Sequence, residues 1–268
     1  MSQGKLTPLL AAPGALLVLF LALPLVGLAA GGSAGNLYRT LMQPAVRSAL
    51  WISVSAASVA MLLSLAAGVP LGYLLARRQF PGRELLQGVV DMPVVVPHVV
   101  AGIALLVVLS PSAPLGSAAG ELGLSFVDAF PGTVAAMLFV SAPFTINAAR
   151  SGFEAVEPRL ERVSRSLGAG PARTFVEVSL PLAGRSIAAG AIMTWARAVS
   201  EFGAVLIIAY FPRAAPTLVY ERLQSSGLDA ARPVALLLVG LCLVLFAVVR
   251  VVLRRPAEPE GGRVHAER

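Results

Sequence analysis

Two oppositely charged residues, Arg197 and Glu201, stand four positions apart inside an otherwise apolar run. Residues four apart lie on one face of an α-helix, so the chemistry available to them is ion pairing. Gly203 follows closely and permits a near approach of another helix. The spacing allows two interpretations: a neutral pair that stabilises helix packing, or a pair that lines an internal pathway or hinge and rearranges there.

A second group of polar residues surrounds a proline-containing stretch, in which Asp91 and His98 flank Pro93 and Pro97. Each proline removes a backbone hydrogen bond, so we expect an irregular helix here. Within a membrane, irregular backbone is tolerated only where it lines a cavity or is covered by protein. His98 is therefore either a neutral donor that lines a cavity or a packed histidine with satisfied hydrogen bonds.

Residue types that carry covalent or metal chemistry are sparse. The single cysteine, Cys242, lies in an apolar run, where we expect a small packed hydrophobe rather than a disulfide or a metal ligand. The only lysine, Lys5, has no Gly-Lys-Ser/Thr context, which a phosphate-binding loop needs. The two histidines are far apart, and no Gly-x-Ser-x-Gly motif occurs. The sequence predicts no catalytic centre, no metal site and no ATPase site on this chain.

Composition places the chain in a membrane. Of its 268 residues, 57% are hydrophobic and 13% are charged, which is outside the range of ordinary soluble domains. Apolar runs repeatedly reach the roughly 18 residues that a membrane helix requires. The net charge of +7 comes mostly from arginines spread over short loops, without a basic and aromatic face that would bind nucleic acid. We predict an all-α polytopic membrane protein.

Six membrane spans are predicted, at approximately 9–30, 49–76, 94–109, 133–149, 187–209 and 233–252. The third is the shortest and could begin near Leu85. The first is longer than a signal-peptide core, so we predict a retained helix. Basic residues are concentrated at one set of loops, which puts both termini and residues 150–185 in the cytoplasm. Residues 1–255 are predicted to form one membrane domain, and the charged, Pro- and Gly-rich tail 256–268 to be disordered.

The polar segment 150–185 carries its own helix signals. Pro158 suits the first turn of a helix, and Gly168 suits its left-handed C-terminal cap. Between them, three apolar residues follow the i, i+3, i+7 spacing of one helix face. They are Leu160, Val163 and Leu167.

A second short helix is predicted to begin at Pro171 and to end at Pro181, with Phe175 and Val178 on one face. Two helices of this length do not fold alone in water. They are interpreted either as a cap on the membrane bundle or as a docking surface for a cytoplasmic partner.

The spacing in this segment resembles the signature loop of ABC importer permeases, EAA–x3–G–x9–I–x–L–P. Nine residues separate Gly168 from Val178, which stands at the isoleucine position, and Leu180 and Pro181 follow at the matching positions.

The Glu-Ala-Ala triplet of that signature is replaced by Arg162, Val163 and Ser164, with Glu161 just outside it. Glu154 begins a similar-looking Glu-Ala-Val, but it lies eight residues too early. A polar contact that the family makes through the triplet glutamate is therefore lost here or shifted to Glu161.

Four further stretches resemble molybdate/tungstate permeases, the last two in particular the archaeal-type branch. They are DMPVVVPH (91–98), WARAVSEFGA (195–204), AYFP (209–212) and APTLVYER (215–222). The resemblance covers about residues 73–254, and the related sulfate/thiosulfate permeases are the alternative substrate branch.

This resemblance implies a type I ABC importer permease fold in which Pro158–Gly168 is the coupling helix, seated in a groove of a cytoplasmic ATPase. The apolar stripe would fill that groove, and the arginines beside it would contact its rim. The residues implied in ATPase coupling are Arg159, Leu160, Glu161, Arg162, Val163, Ser164, Leu167, Gly168 and Ala169, with Val178, Leu180 and Pro181 as structural parts of the motif. Arg165 joins Arg159 and Arg162 as the arginines implied at the rim.

The resemblance also implies partners: a second copy of the chain, two ATPase subunits that bind ATP and magnesium, and an extracytoplasmic oxyanion-binding protein. No cofactor is expected on this chain. Thr194 and Ser200 could offer hydroxyls to an oxyanion, but we expect them to bond within their own helix. The candidates for pore or hinge positions are Asp91, His98, Thr194, Arg197, Ser200 and Glu201. A stand-alone secondary carrier is the alternative class, although the inverted repeats expected of many carriers are not evident.

Overall fold

The computed structural model describes residues 3–252 of the chain, with side chains from 11 to 247. Twelve helices make up this part, and no β-strand occurs in it. The helices are α1 Gln3–Ala30, α2 Ala34–Leu41, α3 Pro44–Arg77, α4 Arg83–Val95, α5 His98–Leu109, α6 Pro114–Glu121, α7 Phe130–Ala155, α8 Pro158–Ser166, α9 Pro171–Val199, α10 Gly203–Ile208, α11 Ala215–Ser226 and α12 Leu228–Val252. The all-α class is confirmed, and the predicted tail 256–268 lies outside the described residues.

Five helices are long and apolar enough to cross a membrane, and a bent pair could supply a sixth crossing. The five apolar segments are Ala11–Ala30, Pro44–Arg77, Phe130–Ala155, Pro171–Val199 and Leu228–Ala247. The chain is therefore a multi-pass membrane protein, as predicted from its composition.

The predicted third span, 94–109, is wrong as a single helix. Helices α4 and α5 meet at 116°, and the first of them already begins at Arg83. Pro97 disfavours helical backbone at the preceding residue, and Val96 is accordingly extended, with ψ at 130°. Two half-length helices thus take the place of one straight span.

The predicted fifth span, 187–209, is also wrong in its bounds, because α9 begins at Pro171 and ends at Val199. Pro181 does not end a separate short helix. A π-helical turn over Phe175–Ser179 precedes it, and Leu180 donates its amide to the Phe175 carbonyl five residues back. This change of hydrogen-bond register lets the proline ring sit in the first turn of the α-helical segment that follows.

Small residues let the central helices α3, α7 and α9 approach closely, as is common in membrane bundles. A Cβ added at Gly190 of α9 would lie 2.4 Å from the Cβ of Ala148 on α7. The core formed by these helices is correspondingly rich in alanine and includes Ala56, Ala57, Ala60, Ala136, Met137, Ala198 and Val199.

Helix α1 lies at the edge of this bundle. None of the side chains described in Ala11–Ala30 is buried by the rest of the chain. Phe20 and six of the leucines in this segment are more than half exposed, although the segment is strongly apolar: Leu16, Leu17, Leu19, Leu21, Leu23 and Leu25. Lipid or another protein must cover this surface.

Substituting Gly72 by Ala tests the close packing of α3 against α7. A methyl group there would lie 2.9 Å from the Arg150 amide nitrogen and 2.9 Å from the Ile146 carbonyl oxygen. Backbone atoms cannot rotate away, so the helices must separate, and we expect a loss of about 1–3 kcal/mol in stability. The measurement is the thermal unfolding midpoint of the purified protein in detergent. Gly184→Ala is the control, because a methyl group at Gly184 meets no neighbour within 4 Å among the described residues. Equal midpoints for the two variants would contradict the packing.

Candidate functional site

Helix α8 has the ends that the sequence predicts. Pro158 lies in its first turn, and Gly168 follows its last turn with φ at +89°, a conformation that favours glycine. Gly168 donates its amide to the Arg165 carbonyl at 3.0 Å, and Ala169 donates to the Ser164 carbonyl at 3.1 Å. This pair of bonds is a Schellman motif, which satisfies the last carbonyls of the helix. The helix is thus fixed at both ends by local signals.

The apolar face of α8 points away from the rest of the chain. Leu160 is 43% exposed, Val163 48% and Leu167 82%. These three side chains are called the docking stripe. Arg159, Arg162 and Arg165 of the same helix are also exposed, and Arg165 Nη2 lies 3.7 Å from Glu161 Oε2. Water-exposed helices normally turn their apolar face inward, so this arrangement indicates a surface that another protein covers.

The inner face of α8 carries a buried carboxylate. Glu161 is 5% exposed, and its Oε1 accepts hydrogen bonds from Arg77 Nε at 2.9 Å and from Ser179 Oγ at 2.8 Å. These three residues form the anchor cluster. Glu161 therefore faces the bundle and does not lie beside the docking stripe.

The anchor cluster joins four elements. Arg77 ends α3 and also donates from Nη2 to the carbonyl of Val156, just after α7, at 2.8 Å. Ser179 lies in the π-helical turn of α9, and Glu161 belongs to α8. Removing one partner from a buried ion pair costs about 3–5 kcal/mol, because the other charge stays buried. The cluster therefore fixes α8 to two membrane helices.

Sequence reasoning missed two members of the anchor cluster. In the sequence, Arg77 is one of the basic residues that follow an apolar span, and nothing links it to Glu161, which lies 84 positions away. Ser179 entered only as a variable position of the signature motif. Only Glu161, the acidic residue just outside the replaced triplet, could be suspected from the sequence of making a polar contact. By contrast, Glu154 is 41% exposed and pairs at the surface with Arg150 at 3.3 Å.

The remaining motif residues contribute to packing and to the connection after α8. Leu180 packs against a buried cluster that includes Phe153, whereas Val178 is half-buried and Pro181 is exposed. Ser164, the last residue of the replaced triplet, lies 3.2 Å from Thr174 through their hydroxyl oxygens. That contact closes the turn between α8 and α9.

The structure brings together three of the predicted candidates, His98, Arg197 and Glu201, here called the membrane cluster. Arg197 Nη2 lies 2.8 Å from Glu201 Oε2 and 2.9 Å from the ring nitrogens of His98. His98 Nδ1 lies 3.1 Å from Glu201 Oε2. The predicted i, i+4 ion pair therefore forms, and a histidine from another helix joins it.

The membrane cluster lies where two interrupted helices meet. His98 follows the bend between α4 and α5, and Glu201 lies in the break between α9 and α10. The Glu201 carboxylate accepts the amide of Ala204 at 2.9 Å, which satisfies a donor in the first turn of α10. A Cβ at Gly203 would lie 2.8 Å from that of His98, so glycine permits the contact, as the sequence suggested.

Asp91 belongs to a separate group. Its carboxylate accepts hydrogen bonds from Gln87 Nε2 at 2.9 Å and from Asn147 Nδ2 at 2.7 Å, which links α4 to α7. Within this group, only the contact of Gln87 with Asp91 could be predicted from the sequence, through their i, i+4 spacing. Nothing in the sequence pointed to the contact of Asn147 with Asp91.

The two hydroxyl candidates differ. Thr194 is fully buried, and its Oγ1 lies 2.6 Å from that of Thr145 and 3.1 Å from the Ser141 carbonyl, both on α7. The expectation of a bond within its own helix is therefore wrong for Thr194, because α7 packs close enough to supply partners. Ser200 does bond locally, to the Arg197 carbonyl at 3.0 Å.

Cys242 is half-buried and packs against the core, beside an apolar cavity of about 260 Å³ that Trp195 and Ser58 also line. Among the described residues, no three His, Cys, Asp or Glu side chains lie together in a metal-binding group. What the site offers chemically is ion pairing, hydrogen bonding and an exposed apolar surface.

Comparison with known proteins agrees with this geometry. Residues 68–258 match the family described as the binding-protein-dependent transport system inner membrane component. The chain is 48% identical over 244 residues to the molybdate/tungstate transport system permease protein WtpB of Thermococcus kodakarensis, covering 90% of this chain and 94% of that protein. It is 33% identical over 208 residues to the probable sulfate transport system permease protein cysT of Nephroselmis olivacea, covering 75% and 73%.

Among solved structures, the chain resembles a bacterial ABC transporter involved in the import of the acidic polysaccharide alginate. The TM-score is 0.76 at 18% identity, over 95% of this chain and 96% of that one. At this identity the likeness shows the fold, which is that of an ABC importer permease. Fold, motif spacing and sequence similarity agree, and the chain belongs to the family of binding-protein-dependent transport system inner membrane components.

Proposed function

We propose that this chain is the membrane-spanning subunit of an ATP-driven importer for molybdate or tungstate. The coupling part of the proposal rests on the orientation of α8. Its apolar docking stripe faces outward, whereas Glu161 is buried against the bundle. Similarity to a molybdate/tungstate permease over 90% of the chain supports the substrate. In this function the chain forms the pathway, and a separate subunit hydrolyses ATP.

The docking stripe and its arginines are chemically suited to a groove on a cytoplasmic ATPase. Three apolar side chains would fill the groove, and Arg159, Arg162 and Arg165 would contact polar groups at its rim. Movement of the ATPase would then push α8 directly.

The anchor cluster provides the route by which that push reaches the membrane. Through Arg77 a displacement of α8 would act on the cytoplasmic end of α3, and through Ser179 it would act on α9. The contacts of Glu161 with Arg77 and with Ser179 are short and largely shielded from water, so a movement of α8 would move both helices with it. The Glu161 carboxylate would serve inside the chain, in place of the polar contact that the family makes through its triplet glutamate.

The proposed assembly contains two copies of this chain, two ATPase subunits carrying ATP and magnesium, and an extracytoplasmic oxyanion-binding protein. The unburied apolar surface of α1 is compatible with a second copy covering it. Residues 1–255 would form one membrane domain with both termini in the cytoplasm. The stand-alone carrier alternative gives no role to an outward apolar stripe on a cytoplasmic helix, and we do not favour it.

Substrate identity is tested on the binding protein that accompanies this chain. We expect molybdate and tungstate to bind it in calorimetry with similar affinity, because the two tetrahedral dianions are nearly equal in size. Sulfate has the same shape and charge but shorter bonds to oxygen, so we expect this smaller ion to bind more weakly. Uptake of the same anions by the complete reconstituted transporter is the second measurement. Preference for sulfate in both assays would replace the proposed substrate by the alternative branch.

Changing Leu160 and Leu167 to Asp tests the docking stripe. Two carboxylates in an apolar groove are desolvated without partners, so we expect the tagged ATPase to lose at least ~90% of its co-purification with the permease. Leu122 and Leu124, which are 80% and 47% exposed on the loop before α7, are changed to Asp as the matched control. Unchanged ATPase association in the α8 variant, with the protein still inserted, would refute docking through this stripe.

Changing Glu161 to Gln tests the anchor cluster. The variant removes a buried charge from the pair with Arg77, and we expect uptake per ATP hydrolysed to fall several-fold, because α8 then moves without pulling α3. Glu154→Gln is the control, since an exposed pair contributes only about 0–1 kcal/mol. A neutral double variant, Arg77→Gln with Glu161→Gln, removes the unpaired charge. If it recovers both stability and coupling, the cluster is structural and the transmission route is wrong.

A further inference from the structure

The membrane cluster lies close to the level of the middle of α3, one of the long apolar helices. Trp195, two residues before Arg197, donates to Ser58 Oγ at 3.1 Å. Ser58 stands near the middle of α3, whose 34 residues extend about 51 Å, well beyond the roughly 30 Å of a hydrocarbon core. The depth of Ser58 on α3 therefore fixes the depth of the membrane cluster.

The cluster also opens towards water or another protein. The side chain of Arg197 is 24% exposed and that of His98 is 44% exposed. Charged groups at membrane depth face a pathway or a protein interior, because exposure to lipid costs several kcal/mol. The two helix interruptions beside them lead to the same conclusion, since irregular backbone is tolerated only where it is covered or lines a cavity.

The charges in the cluster are arranged asymmetrically. Glu201 is 1% exposed, and one of its oxygens is held by the first turn of α10. The exposed part of the cluster thus consists of a guanidinium and an imidazole, and the carboxylate lies behind them. An ion that approaches from the open side meets nitrogen atoms first.

The guanidinium retains hydrogen-bonding capacity. Within the part of the chain that the structure describes, the side-chain hydrogen bonds of Arg197 all use Nη2, which leaves the donors on Nε and Nη1. Such a planar fork matches two oxygens of a tetrahedral oxyanion. In the tautomer in which His98 Nδ1 accepts from Arg197, the Nε2–H of the imidazole is a further donor at the same opening.

We infer that Arg197 and His98 form a transient contact site for a tetrahedral dianion in transit, with Glu201 as a fixed counter-charge that keeps the contact weak. This inference rests on the proposed function and adds the residues of the pathway. A lone guanidinium in a low-dielectric pathway would retain a dianion, whereas a site that conducts must also release it. The ion pair between Arg197 and Glu201, at 2.8 Å, therefore weakens the hold of the guanidinium on the dianion and allows the dianion to be released.

The test uses the reconstituted complex of permease and ATPase and measures equilibrium binding of radiolabelled molybdate without the binding protein. Glu201→Gln keeps the oxygen that accepts the Ala204 amide but removes the counter-charge, so we expect about tenfold tighter binding and slower uptake. Arg197→Gln combined with Glu201→Gln leaves no buried charge unpaired, and we expect molybdate to bind more weakly than to the wild type and uptake to fall about tenfold while ATP hydrolysis continues. Opposite changes in binding for these two variants are not expected of a merely structural pair.

The control replaces another Arg–Glu pair at the same i, i+4 spacing. Arg173 and Glu177 are 68% and 55% exposed, and changing both to Gln should leave molybdate binding and uptake unaltered. Wild-type binding by Glu201→Gln, or wild-type uptake by the double variant, would overturn the inference.

His98→Gln keeps the inference testable if the double variant fails to assemble. Because the His98 side chain is largely exposed, we expect this variant to insert normally and to lose several-fold in uptake. Normal uptake would count against the site. Wild-type transport of sulfate in place of molybdate would correct the proposed substrate, and the same variants would then be measured with sulfate. A wild-type complex that moves no tetrahedral oxyanion would remove both proposals.

Discussion

The buried ion pair between Arg77 and Glu161 is the contact on which the orientation of α8 depends. A charged pair is an expensive way to fasten a nine-residue helix, because both groups must leave water. An apolar inner face would also have attached α8 to the bundle. The helix could then have turned over and buried the docking stripe instead, because both faces would have been apolar. With a carboxylate inside and leucines outside, only one orientation of the helix satisfies the buried charge. The pair therefore specifies which face is presented to a partner.

The interior of the bundle follows a related constraint. Alanine and glycine bring α3, α7 and α9 into backbone contact, which leaves little room for large side chains. Polar groups are placed where backbone regularity fails, at the α4–α5 bend and in the break before α10. In the break before α10, the Glu201 carboxylate accepts a backbone donor that the interrupted helix leaves open. In α4, just before the bend, the Asp91 carboxylate is instead bonded by the side chain of Asn147. The breaks and the ionisable residues are thus parts of one arrangement.

Local signals in the sequence were enough to predict α8, because Pro158, Gly168 and the intervening stripe act within a few residues of one another. The ion pair of Arg197 with Glu201 could likewise be predicted from their i, i+4 spacing on one helix. Contacts between distant segments were not: nothing in the spacing connects Arg77 to Glu161, or Thr194 to Thr145. The prediction that a helix ends at Pro181 was wrong for a different reason. A proline interrupts a helix when the hydrogen bonds are α-helical throughout, but here a π-helical turn precedes the proline and accommodates it. The bend at Pro97 was foreseen as irregularity, but its angle depends on packing against α10.

The π-helical turn before Pro181 has a consequence for the length of α9. Such a turn holds one residue more than an α-helical turn would, so shortening the chain by one residue within 175–179 could restore regular winding and preserve the orientation of everything beyond it. Loss of a residue elsewhere in α9 would rotate the distal half by about 100° and turn Arg197 away from His98. Natural variation in the length of this helix is therefore best accommodated at that single turn, at the opposite end of α9 from Arg197.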